Sequence, residues 1–297
     1  MKFKPTIDIV KKTFSNWLDL DPFAKSAVIA YYTLFSLPSL LLIVIWVTSL
    51  FFGRDAVQGH ITQEFSSLIG YEPAKAIEGM ISSASIDSNS TLNVIISAAT
   101  LMFGATGVFF QLQKTLNTIF DAEEENSNFK QMVIDRLISF GMVMAIGFIL
   151  IISLLVSAGI SVLNNYIRDN YPEIASIIVS VLNFLVSLGV ITILFAAIYR
   201  FLPNRRIKWK TALIGASVTT LLFLLGKYLI GFYFGQAAPA SVYGGASSVV
   251  LILLWVYYTG LIFFMGAEFT MVYSEYREKK KLNTVDALAT SSNEGKL

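Results

Sequence analysis

The chain contains no cysteine and a single histidine, His60. The first absence removes any disulfide framework and any thiolate metal site. The second removes the usual nitrogen ligands of zinc and leaves too few imidazoles for a nucleophilic triad. Charge is also scarce. Asp, Glu, Lys and Arg make up 14% of 297 residues, against about 25% in ordinary soluble domains. The formal net charge of +2 gives no bulk attraction for nucleic acid. What fills the space is apolar: 55% of the residues, gathered into long uninterrupted blocks.

Spanning a bilayer takes about 20 mainly apolar residues. Six stretches qualify: Ala27–Phe52, Thr91–Phe110, Leu137–Leu163, Ile174–Leu202, Ala212–Phe234 and Ser248–Val272. None alternates with the period of a barrel strand, so each is read as a helix, with Pro38 kinking the first. Some 25 residues precede the first block, and the block is too long for a signal peptide. The expected fold is therefore all-α, a polytopic membrane protein with six transmembrane helices.

Lys and Arg set the orientation. The segment up to Lys25, the connection after the second block (Lys114, Lys130, Arg136), the turn between the fourth and fifth blocks, and the tail from Arg277 together hold 18 of the 22 basic residues. The opposite connections hold 3, Arg54, Lys75 and Arg168, and Lys227 lies within the fifth block. Both termini are expected in the cytoplasm. The connection 53–90 is the largest external feature, and its apolar residues recur at helical spacing around Ile61–Leu68 and Ile77–Ile81, which predicts two short amphipathic helices. The second block keeps an apolar face through Val108, Leu112, Leu116 and Ile119, which predicts a helix continuing to the acidic cluster at residues 121–126. Residues 1–276 read as one membrane domain, and 277–297 as a polar cytoplasmic tail without fixed structure.

Glu268 resists a bland reading. A carboxylate at a helix centre costs about 2.5–3.5 kcal/mol to insert, but eleven Val, Leu, Ile and Phe residues between Val249 and Phe264 supply roughly −3 to −7 kcal/mol. Glu268 lies about 6 Å from the inner end of its block and Lys227 about 10 Å from the outer end of its own, too far apart for a direct pair. Arg200 or Arg136 is the expected partner of Glu268; Lys227 is expected to snorkel outward or to meet Asp169 or Glu173. Tyr257, Phe264 and Glu268 share one helical face, with Tyr257 and Tyr258 near mid-span. Hydroxyl and amide lines on other blocks match it: Ser153–Ser161, Ser176–Ser187 with Asn183, and Thr211, Gly215 and Thr219. Such lines serve helix packing as well as a polar interior. The candidate intramembrane site comprises Glu268, Arg200, Tyr257, Lys227, Tyr31 and Asn183. No catalytic, cofactor or metal site is expected, and no enzyme activity.

Four stretches carry a resemblance: "IAYYTLFSLPSLLLI", "FGATGVFFQLQKTLNTIF", "IYRFLPNRRIKWKTALIGA" and "YGGASSVVLILLWVYYTGLIFFMGAEFTMVY". In this order, over residues 20–276, they resemble the YihY/BrkB family of bacterial inner-membrane proteins. The motif positions include Tyr31, Tyr32, Pro38, Gly104, Asn117, Arg200, Pro203, Tyr243, Gly244, Trp255, Gly266 and Glu268. "FSLPS" departs from the family in lacking a further Pro near Pro38. The resemblance implies a multi-pass protein of the bacterial cytoplasmic membrane, in a family once labelled a ribonuclease and since linked to serum resistance and export of envelope components. Two functions remain open, a transporter or flippase-like protein with a polar interior and a non-transporting assembly factor of the envelope. Expected partners are membrane lipids, with anionic headgroups near Arg205, Arg206, Lys208 and Lys210; nucleic acid is not expected, and a homo-oligomer is allowed.

Overall fold

In a computed structural model the described residues are 4–36, 71–83, 91–122, 172–237 and 246–294, and among them all regular structure is helical. The described residues form seven helices: α1 (Lys4–Asp19), α2 (residues 22–36), α3 (Tyr71–Ser83), α4 (Thr91–Ile119), α5 (Pro172–Phe201), α6 (Trp209–Ala237) and α7 (Ser247–Glu294). Three described segments are long and apolar enough to cross a membrane: Val181–Phe201, Trp209–Phe234 and Val249–Lys280. The third apolar block, Pro38 and the first amphipathic segment of the 53–90 connection lie outside the described residues. The second amphipathic segment falls in α3, which buries Ala74, Ala76 and Ile77 and packs against α7.

The helix ends follow from local chemistry. α1 is closed at Asp21, whose amide donates to the Leu18 carbonyl and whose left-handed φ of 54° turns the chain out of the helix. The Asp21 side chain then accepts from the Ala24 amide, and Pro22 takes the first helical position, so one residue closes α1 and opens α2. α4 ends similarly: Asp121, at φ 52°, donates to the Thr118 carbonyl while Ala122 donates to Asn117, a Schellman closure built on Asp instead of Gly. At the other end of the chain the helix runs on to Glu294, through a stretch expected to lack fixed structure. The residues after Tyr276, "REKKKLN", are mostly strong helix formers, and the helical ladder of α7 is already in place to extend.

α7 is the central helix. In its apolar segment 44% of the residues are buried, against 33% in α6 and 22% in α5. Its most extensive packing is with α6, which in turn packs on α5. The α6–α7 contact has a specific construction. Each helix carries the same five-residue pattern, Gly-Ala-x-x-Thr: Gly215–Thr219 in α6 and Gly266–Thr270 in α7. Each threonine hydroxyl donates to the carbonyl of its own glycine four residues back, at 2.9 Å for Thr219 and 2.7 Å for Thr270. With the hydroxyls satisfied inside their own helices, the side chains are free to fill the partner's notch. Thr270 occupies the space a Cβ on Gly215 would need, and Thr219 the space a Cβ on Gly266 would need. Two turns further along α6 the Tyr258 ring covers Gly226 in the same way. The paired positions mark an antiparallel register.

Tyr199 of α5 locks this contact from the side. Its fully buried hydroxyl donates to the Phe263 carbonyl at 2.7 Å and lies 3.0 Å from the Thr219 hydroxyl. Around it Phe263, Phe264, Ala216, Ala267, Leu116 and Phe120 form one core; a second layer, Ile191, Phe223, Trp255 and Ile262, lies further along the same three helices. α2 joins by two close approaches, Gly260 of α7 against Ser26 and Gly104 and Gly107 of α4 against Ser36 and Tyr32. The end of α4 is tied to the α5–α6 turn: Gln113 donates to the Asn204 side chain, the Asn204 amide to Asn117, and Arg205 to the Phe120 carbonyl.

Replacing Gly266 by Leu is expected to overpack the notch and destabilise the protein by about 1–3 kcal/mol. Gly231→Ala, where a Cβ meets nothing within 4 Å, leaves stability unchanged or slightly raised. Thermal unfolding in detergent, followed by size-exclusion recovery, measures both.

Candidate functional site

Glu268 is the third residue of the Gly266–Thr270 pattern and is buried, with 5% of its surface exposed. Gly266 and Thr270 face α6, so the helical turn directs Glu268 to a different neighbour, α1. The Asn16 side-chain amide hydrogen-bonds to its carboxyl, and Lys12, Asp19 and Glu275 are the charges acting on it. Lys12 is itself bridged to Glu275 across the α1–α7 contact, where both side chains are partly exposed. Trp17, one residue after Asn16, donates its indole N–H to the Leu261 carbonyl at 3.1 Å. Three α1 side chains, Lys12, Asn16 and Trp17, thus hold one face of α7 from Glu275 back to Leu261.

Arg200, expected as a partner of Glu268, has a different engagement. Its guanidinium donates to the Ile207 carbonyl and lies 5.1 Å from the Trp209 ring. It closes the α5–α6 turn on itself, and its Nε is buried without a hydrogen bond. Arg136, the other expected partner, lies outside the described residues.

Lys227 and Asn183 come together elsewhere. With Ser187, Tyr228 and several aliphatic side chains they line a half-open groove of about 170 Å³ between α5 and α6. The α6–α7 register sets Lys227 level with Tyr257 and Tyr258, about 16 Å along the helix axis from Glu268. Asp169 lies outside the described residues. Tyr257 is half-buried on α7, whereas its neighbour Tyr258 makes the α6 contact at Gly226. Tyr31 stands on the outer surface of α2, 57% exposed and edge-on to Tyr32 and Phe35.

The six residues therefore divide into a buried carboxyl under α1, a lysine-amide groove between α5 and α6, an arginine at the end of α5, and two tyrosines apart from all of these. Sequence reasoning did not find Asn16 or Tyr199. Asn16 had a readable signal, since Thr13, Trp17 and Leu20 recur at spacings of four and three residues and mark a second face of α1 beside which Asn16 falls. Tyr199 is one tyrosine among many apolar residues, and its role depends on which turn of α6 lies opposite. Among the described residues no group of three acidic or histidine side chains gathers at metal-binding distance.

Comparison with known proteins adds identity at the family level. The profile of a family described as virulence factor BrkB matches residues 13–288. A UPF0761 membrane protein of Rhodospirillum centenum is 28% identical over 92% of this chain, which spans 59% of that relative's length. A ribonuclease-like protein of Bacillus subtilis, YfkH, is 25% identical over 93% of this chain and 98% of its own. A UPF0761 membrane protein of Alteromonas mediterranea is 26% identical over 85% of this chain and 83% of its own. No solved structure matches.

Asn16→Leu removes the hydrogen-bond partner of a buried carboxyl and is expected to destabilise the protein by about 1–3 kcal/mol. Lys12→Ala removes a partly exposed ion pair and is expected to change stability by less than about 1 kcal/mol. Thermal unfolding of the two variants under identical detergent conditions checks the order.

Proposed function

We propose that this chain, which belongs to the BrkB family of bacterial inner-membrane proteins, moves a lipid, an envelope component or a small solute through a polar path beside its central helices. The observation that carries this reading is the groove at Lys227 and Asn183. It sits on the outside of two membrane-crossing helices, and it sets an ammonium, an amide and the Ser187 hydroxyl within a wall of aliphatic side chains. A cation and hydrogen-bonding groups at membrane depth, open toward the acyl chains, suit a phospholipid headgroup entering sideways. Glu268, buried and polar further along α7, supplies a second polar station about 16 Å away.

The reading includes six spans with both termini in the cytoplasm. The 18-to-3 distribution of basic residues supports it, and so does the meeting of the α4 end with the α5–α6 turn. That turn presents Arg206, Lys208 and Lys210 to solvent beside Trp209, a pattern suited to anionic headgroups, while Arg205 is partly spent on the Phe120 carbonyl. On this reading the protein is not an enzyme, and the ribonuclease-like name of the Bacillus relative describes that relative alone.

In proteoliposomes of phosphatidylethanolamine and phosphatidylglycerol, the protein is expected to move fluorescently tagged lipid between leaflets, read by dithionite quenching. Lys227→Ala and Glu268→Gln should each slow this about tenfold, the effect of losing one charge-assisted contact. Tyr31→Phe, on the outer surface of α2, should leave it unchanged. Equal rates in all variants and in empty vesicles would favour the assembly-factor alternative.

A further inference from the structure

We propose that α1 is a membrane-surface helix whose apolar stripe is sunk in the acyl chains of one leaflet. The inference requires that the protein is a membrane protein and is independent of transport. α1 has three faces instead of the usual two. Thr13, Trp17 and Leu20 are buried against the bundle. Ile7, Val10, Phe14 and Leu18 recur at spacings of three and four residues and are 53%, 57%, 52% and 45% exposed. Asp8, Lys11, Ser15 and Asp19 are also exposed, and each follows a stripe residue by one position, so they centre roughly 100° around the helix from the apolar stripe. A helix on a soluble surface has no reason to leave four large apolar side chains in water along one line. A helix immersed in hydrocarbon could not leave two aspartates and a lysine uncovered. A helix at the boundary satisfies both, with the bundle on its third side.

The stripe is also continuous with surface that already has the character of a lipid face. Phe14 and Phe23 each lie 5.7 Å from the Trp17 ring, so an aromatic cluster bridges the α1–α2 corner. Beyond it α2 exposes Phe23, Val28, Tyr31 and Phe35, at 49%, 38%, 57% and 47%. Aromatic residues of this kind gather where headgroups meet acyl chains. The occupant assigned to the stripe is therefore the bilayer, and Lys11 on the neighbouring face stands at headgroup height.

Because the chain has no cysteine, single cysteines can be introduced and spin-labelled without background. The full-length protein is labelled in turn at Ile7→Cys, Val10→Cys, Phe14→Cys and Leu18→Cys, and at Asp8→Cys, Lys11→Cys, Ser15→Cys and Asp19→Cys. It is then placed in nanodiscs of phosphatidylethanolamine and phosphatidylglycerol. Collision with oxygen, which concentrates in acyl chains, is compared with collision with a water-soluble nickel chelate. Oxygen is expected to dominate several-fold at the first four positions and nickel at the second four. Nickel access at the stripe equal to that at the polar face would overturn the proposal. Shielding of the stripe from both reagents would overturn it too, by identifying protein, such as a second copy, as the cover. Monodisperse elution of each variant confirms the fold, and several positions per face keep the comparison valid if one variant is lost. Lipid-movement assays play no part, so failure here is separable from failure of the transport reading.

Discussion

The exchange of threonines and glycines between α6 and α7 is the constraint from which the rest of the structure follows. In hydrocarbon an apolar side chain gains little by leaving lipid for protein, so helices associate through close packing and hydrogen bonds. The two Gly-Ala-x-x-Thr patterns provide both. The glycines let the backbones approach, and the threonines satisfy their own hydroxyls within their helices while filling the notches opposite. Tyr199 then finds a carbonyl and a hydroxyl already fixed at the right spacing, and α5 is held by the same construction.

The burial of Glu268 is a consequence of that register. Once Gly266 and Thr270 face α6, the residue between them must turn toward another neighbour. The N-terminal helix meets it with an amide instead of a cation. An amide can satisfy a carboxyl of either charge state, since it offers both donor and acceptor atoms. The carboxyl is therefore accommodated by hydrogen bonding first, and the Lys12–Glu275 bridge lies at the partly exposed rim of the contact.

How much of this was legible in the sequence depended on the range of the interactions. The long helices α4 to α7 were readable from apolar blocks alone, as was the continuation of α4 beyond its apolar stretch, because helical periodicity is local. The inward position of Glu268 was readable from the expense of the alternative. Its partner was not. Charge considerations nominated Arg200 or Arg136, but Arg200, in the last turn of α5, donates to the Ile207 carbonyl of the turn that follows it, a partner much nearer in sequence. The amphipathic pattern of α1 is local and visible in the sequence, but the lysine count over the same residues fixes orientation alone and says nothing of packing. At the C-terminal end, where polar composition alone suggests no fixed structure, the helix extends to Glu294, beginning with the strong helix formers Arg277–Leu282.

The corner at Asp21 acquires a particular meaning beside so firm a central pair. Interlocked notches resist sliding, because a shift of even one residue would bring a threonine against a backbone with no recess to receive it. α1, by contrast, meets α2 through a single aspartate that ends one helix and begins the next, so the cover over Glu268 is seated by its own side-chain contacts with α7 more than by the link of chain behind it.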